Sequence, residues 1–266
     1  MLSIVGLVGL VCLVGLAGVL PASAQPLPRV VDIATREGVT ARLILIVPVK
    51  PGATAVLLAG GNGWLNLSPE GGIRGLGGNF LVRSRDLFVA QGLAVAVLDA
   101  PSDRQTGMAL DGFRTSDEHV ADLKATIAWL REEIKVPVWL VGTSRGTETA
   151  AYVATRLARA AGGPDGIVLS SSMLRDPRGR PVTAMDLEKI AVPALVVHHK
   201  DDGCWACDFQ FAPELLRKLS AVPRKELLAF EGGISTGNPC GARAYHGFNG
   251  IEREVVEKIS TWMKTP

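Results

Sequence analysis

Val136-Pro137-Val138-Trp139-Leu140-Val141-Gly142-Thr143-Ser144-Arg145-Gly146 decides how the rest of the chain reads. A Val- and Leu-rich run, the composition of a buried strand, stops at Gly-Thr-Ser-Arg-Gly, and residues of helical character follow from about Thr147 to Ala160. Strand, tight turn and helix, with a serine in the turn, is the context that Gly-x-Ser-x-Gly needs to be a nucleophile elbow rather than a chance pentapeptide. Gly142 and Gly146 would let strand and helix approach closely. The helix would aim its positive end at an oxyanion formed beside Ser144. The bland alternative is a serine in an ordinary strand-to-helix turn, and the partner residues found further along the chain weigh against it.

The chain has 266 residues and a formal charge of +2. Met1 to Ala24 carries no charge, Ile4 to Leu20 is almost wholly apolar, and Pro21-Ala22-Ser23-Ala24 offers an Ala-x-Ala cleavage pattern. Residues 1–24 therefore read as a signal peptide, cut after Ala24, and the protein as exported, either periplasmic or secreted. No Lys or Arg precedes the apolar run, which leaves an uncleaved N-terminal anchor as the alternative; Val11 before Cys12 does not suit a lipid-anchored start. Residues 25–266 suit one large α/β domain. No Lys/Arg cluster points to nucleic acid, and no later apolar run is long enough to span a bilayer. Cys204, Cys207 and Cys240 remain after cleavage, so one disulfide and one odd thiol are expected in an oxidising compartment. Cys204-x-x-Cys207 lacks a second matching pair for zinc, and no metal or organic cofactor is expected.

Strand-like and helix-like segments alternate. Strands are expected at Val30–Ala34, Ala41–Val47, Thr54–Leu58, Leu93–Leu98, Val136 onward, Gly166–Ser170, Ala194–His198 and Glu226–Phe230. Helices are expected at Arg83–Ala90, Ser116–Ile134, after Ser144, and at Ile251–Met263. Val120, Leu123, Ile127, Leu130 and Ile134 form one apolar stripe on the long helix. Repeated strand–helix units imply a mostly parallel, doubly wound sheet with helices on both faces, whose chemistry sits at the carboxyl ends of the strands. About two dozen residues between Ser170 and Ala194 leave no room for a large lid, so an open, shallow site is expected.

A serine hydroxyl needs a base, and the base needs an orienting group. Of the four histidines, His119 falls in the first turns of the long helix and reads as a surface or packing residue. His198 and His199 end a strand just before Asp201 and Asp202. His246 lies in Ala244-Tyr245-His246-Gly247-Phe248, after the last strand and before the last helix. Ser144, an aspartate near 201–202 and His246 follow the order Ser…Asp…His. On Gly142-Thr143-Ser144-Arg145-Gly146, Val197-His198-His199-Lys200-Asp201-Asp202 and His246-Gly247-Phe248, nearly the whole of residues 25–266 resembles the α/β-hydrolase superfamily, within its lidless, exported, esterase-like group.

That resemblance implies an α/β-hydrolase fold and a serine hydrolase acting on a small-molecule or lipid-like carboxylic ester. A peptidase, an acyltransferase or a non-catalytic exported binder of the same fold are the other readings. It implies Ser144 as nucleophile and His246 as base. The family's His-Gly-x-x-Asp, laid over His198 to Asp202, favours Asp202 over Asp201 as the acid, although His199 stands where the family has Gly. His199 is then structural or part of the pocket rim. The oxyanion donors would be the amide of Arg145 and one from Leu58-Ala59-Gly60-Gly61-Asn62-Gly63-Trp64, either Gly61 or Asn62. This loop is similar to the family's His-Gly-Gly type loop, with Ala59 in place of His. The Arg145 side chain would either read a substrate carboxylate or, the favoured reading, pair with an acid such as Asp111 or Asp117. A Cys204–Cys240 bridge would tie the acid loop to the base loop, with Cys207–Cys240 as the runner-up. Trp64 and Trp205 would line a substrate pocket or pack in the core.

Overall fold

The computed structural model describes residues 2, 26–176 and 181–265; the expected signal peptide, apart from residue 2, lies outside the described residues. Eight strands form one sheet: β1 (Arg29–Arg36), β2 (Val39–Ile46), β3 (Thr54–Leu58), β4 (Ala94–Leu98), β5 (Val138–Thr143), β6 (Gly166–Ser170), β7 (Ala194–His199) and β8 (Lys225–Phe230). Their spatial order is β1-β2-β4-β3-β5-β6-β7-β8. β1 and β2 form an antiparallel hairpin, and β2 meets β4 antiparallel. From β4 through β3 to β8 every pairing is parallel. The fold is thus α/β and mostly parallel, with the sheet open at both edges.

Why these segments become inner strands is plain from their side chains. β3, β4, β5, β6 and β7 are buried at every position, because helices cover both faces. Two apolar clusters result, one on each side of the sheet. The long helix α3 (Asp117–Ile134) begins where Ser116 accepts the His119 N–H and ends where Lys135 turns left-handed at φ +61°.

Several boundaries differ from expectation for local reasons. The predicted helix at Arg83–Ala90 is two short helices, α1 (Phe80–Arg83) and α2 (Arg85–Ala90), and it starts earlier because Asn79 caps Leu81 N–H. The helix after Ser144, α4 (Gly146–Arg156), ends at Leu157, which turns extended, and only a single tight turn follows at Arg159–Ala161. A seven-residue helix, α5 (Ala212–Lys218), escapes the periodicity reading because it is too short to show a stripe. The closing helix α6 covers Glu252–Lys264. Between β6 and β7 the described residues hold only single turns, Val182–Ala184 and Leu187–Lys189.

Candidate active site

Ser144 follows the last residue of the central strand β5, and one residue, Arg145, separates it from the start of α4. Its φ is +52°, a left-handed conformation that costs a non-glycine residue free energy and is held only by its surroundings. Those surroundings are tight. Its N–H donates to Ser170 O at 3.0 Å, and its carbonyl accepts from Thr147 N–H at 2.9 Å and Thr147 Oγ1 at 2.6 Å. A Cβ on Gly142 would lie 2.5 Å from Gly146 O, and one on Gly146 would lie 2.0 Å from Leu58 O. Neither glycine tolerates a side chain without moving backbone, which is the physical content of the flanking Gly-x-Ser-x-Gly positions.

Asp202 and His246 come from the loops after β7 and β8. His246 Nδ1–H donates to Asp202 Oδ2 at 2.9 Å, and the other oxygen of Asp202 accepts the Cys204 N–H, also at 2.9 Å. Both side chains are buried, whereas Asp201 is exposed and its N–H donates to His199 Nδ1 at 3.0 Å. The turn that carries His246 is gripped from two sides. Ser171 Oγ donates to His246 O at 2.8 Å, and the His199 ring stacks on Tyr245 with centroids 4.4 Å apart. His199 therefore shapes the loop that carries His246.

Ser144 and His246 line one cleft of about 320 Å³, together with Gly60, Gly61, Leu76, Phe80 and residues 240–242. No hydrogen bond joins Ser144 Oγ to the His246 ring among the described residues; such bonds commonly tighten only around a substrate. The N–H groups of Gly61, Asn62 and Arg145 have no hydrogen-bond acceptor among the described residues, so they are free to donate. The side chain of Asn62 is otherwise engaged, donating to Gly107 O and accepting the Trp64 N–H. Gly60 packs directly on Ser144: a Cβ there would lie 2.8 Å from Ser144 Cβ.

Cys204 and Cys240 are joined by a disulfide across 36 residues, and Cys207 is a buried free thiol against Met173 Sδ at 3.7 Å. Burial raises its pKa well above the ordinary thiol range, which keeps it protonated. Cys204, Cys207 and His246 present their ligand atoms within 4.8 Å of one another, but the Cys204 sulfur is committed to the disulfide.

Arg145 forms the expected ion pair but with other acids, Trp64 takes the packing reading rather than the pocket one, and Trp205 fits neither. The Arg145 guanidinium faces Asp176 at 3.3 Å and Glu148 at 3.7 Å; Asp117 instead pairs with Arg156 at 3.0 Å. Trp64 lies outside the cleft lining, because its ring joins Ala100, Ala109, Leu110 and Phe113 while Nε1–H donates to Gln105 at 2.8 Å. Trp205 is 54% exposed and also outside the lining, carried to the surface between the buried Cys204 and Ala206. Leu76 and Phe80, which do line the cleft, fell in a stretch with no assigned role; its glycines and the Asn79 cap were the only signal. His119 is a buried packing residue, its Nε2 3.2 Å from Thr149 Oγ1, and burial lowers its pKa to about 3. Desolvation likewise lowers His198 to about 4 and raises Glu148 to about 6, although Arg114 and Arg145 stand beside Glu148.

No family model and no curated protein sequence matches the chain. Solved structures do. An α/β serine hydrolase homologue from Coxiella burnetii superposes with a TM-score of 0.59 at 17% identity, over 87% of this chain and 96% of that one. An esterase from Pyrococcus furiosus gives a TM-score of 0.64 at 14% identity, covering 90% and 91%. A lidless α/β serine hydrolase from Xanthomonas campestris gives 0.52 at 19% identity, covering 87% and 94%. At these identities the likeness establishes the α/β-hydrolase fold, and function has to be argued from the site.

Proposed function

We propose that the protein is a serine hydrolase that cleaves small, uncharged carboxylic esters through Ser144, His246 and Asp202. The observation that carries this reading is one cleft in which a strained serine and a carboxylate-bound histidine meet free backbone N–H groups. His246 takes the Ser144 proton as the hydroxyl attacks the ester carbonyl, and Asp202 holds the ring and steadies the imidazolium. The Arg145 N–H and a glycine-loop N–H, from Gly61 or Asn62, receive the oxyanion. His246 then protonates the leaving alcohol, and water releases the acyl group by the reverse steps.

The substrate class follows from the lining. No Lys, Arg, Asp or Glu side chain lines the cleft among the described residues, and Leu76 and Phe80 give it apolar walls. A charged acyl group would lose its hydration there with no partner. Neutral esters fit, and lipid-like ones only as far as that volume allows. Export after cleavage at Ala24 belongs to the same reading, since a disulfide suits an oxidising compartment. No helix among the described residues is long and apolar enough to cross a membrane.

A fluorophosphonate probe tests the proposal. Labelling of the wild type that vanishes in Ser144→Ala supports it. A folded wild type that takes no label favours a binding protein, and turnover of peptides or amides in preference to p-nitrophenyl esters of graded length favours the peptidase reading.

A further inference from the structure

Arg114 is a cation almost without access to water, 3% exposed, and it stands behind the glycine loop rather than in the cleft. Burying a guanidinium is costly unless its donors are matched, so its partners are informative. Nη2 donates to the carbonyls of Ala59 and Gly61, each at 3.1 Å, and Nη1 donates to Thr149 Oγ1 on α4, also at 3.1 Å. Space for it is kept by Gly63, where a Cβ would lie 2.7 Å from Nη2. Desolvation lowers the guanidinium to about 10 while Glu148 and Asp111 oppose that shift, so it stays charged at neutral pH. The same segment adds a further hold on the loop, Leu110 N–H to Asn62 O at 3.0 Å.

A planar trans peptide places its N–H opposite its C=O. Fixing the oxygens of Ala59 and Gly61 on one cation therefore fixes the directions of the Gly60 and Asn62 N–H groups. We propose that Arg114 is the positioning residue of the glycine loop. It draws the loop's carbonyls to one side and so presets its amides for a developing oxyanion. The catalytic half of this role rests on the hydrolase reading above; the ordering of residues 59–63 does not.

Full-length Arg114→Lys and Arg114→Met test it. Lysine keeps the charge but cannot fork to two carbonyls and a threonine at once. Amide hydrogen exchange at Gly63 and Leu110, whose N–H groups bond to Gly60 O and Asn62 O of the loop, is expected to speed up by roughly tenfold or more in both variants, with β5 and α6 unchanged. On a p-nitrophenyl ester, kcat is expected to fall by roughly 10- to 100-fold with KM within about threefold, part of what loss of a whole oxyanion donor costs. A boronic acid, which copies the tetrahedral oxyanion, should weaken in step with kcat. Unchanged exchange in folded Arg114→Lys, or a rise in KM with kcat intact, overturns the proposal; if the Met variant does not fold, the Lys variant decides. A wild type without esterase activity or probe labelling would sink the hydrolase reading alone, and exchange at Gly63 and Leu110 would still decide the role of Arg114.

Discussion

The centre of the sheet and its β8 edge hold their parts of the site by different means. Ser144 follows β5, a strand buried along its whole length between β3 and β6, and it is fixed by glycine-tight backbone packing and by hydrogen bonds to its neighbours Ser170 and Thr147. His246 follows β8, the edge strand, whose first five residues are partly or fully exposed. There the chain resorts to a disulfide, a His199–Tyr245 stack and the Asp202–His246 hydrogen bond. Where apolar area is covered on both faces, packing and short-range hydrogen bonds hold a strained residue. Where it is not, covalent and polar ties take over.

The most severe way to break the central half is Ser144→Ala. If the hydrolase reading is right, kcat falls by roughly 10⁶-fold while the melting temperature does not drop. At the edge, Cys204→Ser with Cys240→Ser removes a cross-link spanning 36 residues. Stability measured by urea denaturation should drop by about 4 kcal/mol in the chain-entropy model, and kcat should fall more than KM rises, because His246 loses its fixed distance from Ser144.

Acid sharpens the contrast next. His119 is buried with a pKa lowered to about 3 from an unfolded value near 6.5. The unfolded chain therefore binds the proton first, so stability present above pH 6.5 is lost as pH falls toward 3. Denaturation at pH 6.5 and pH 4 should differ by about 3 kcal/mol from this group, and His119→Gln should remove that share of the dependence while the share of His198, lowered to about 4, remains. The smallest effect belongs to Tyr245→Leu. Losing the stack on His199 should cost about 1 kcal/mol and lower kcat severalfold, and an unchanged pH–rate profile and kcat would show that the stack does not steady the base.

How much of this was legible in the sequence follows the same division. β3 and β6 were readable to the residue, and the elbow from its spacing, because buried parallel strands and backbone-tight glycines leave composition signatures. Asp202 and Cys204–Cys240 could be named only through the family resemblance, since loops leave no periodicity. The cleft walls Leu76 and Phe80 and the buried Arg114 were not legible, because each acts through partners many residues away in the chain. Asp176 as a partner of Arg145 was missed for the same reason, being brought close by the fold and by nothing local, whereas Glu148 stands only three residues along the chain and was readable.

The left-handed backbone of Ser144 has an evolutionary corollary. Glycine is the residue that this φ prefers, so Ser144→Gly would relax the turn and yield a sturdier molecule, inert on the hydrolase reading proposed above. Stability alone would drive lineages of this protein toward that glycine; on that reading, the demand for the chemistry is what keeps the serine in place.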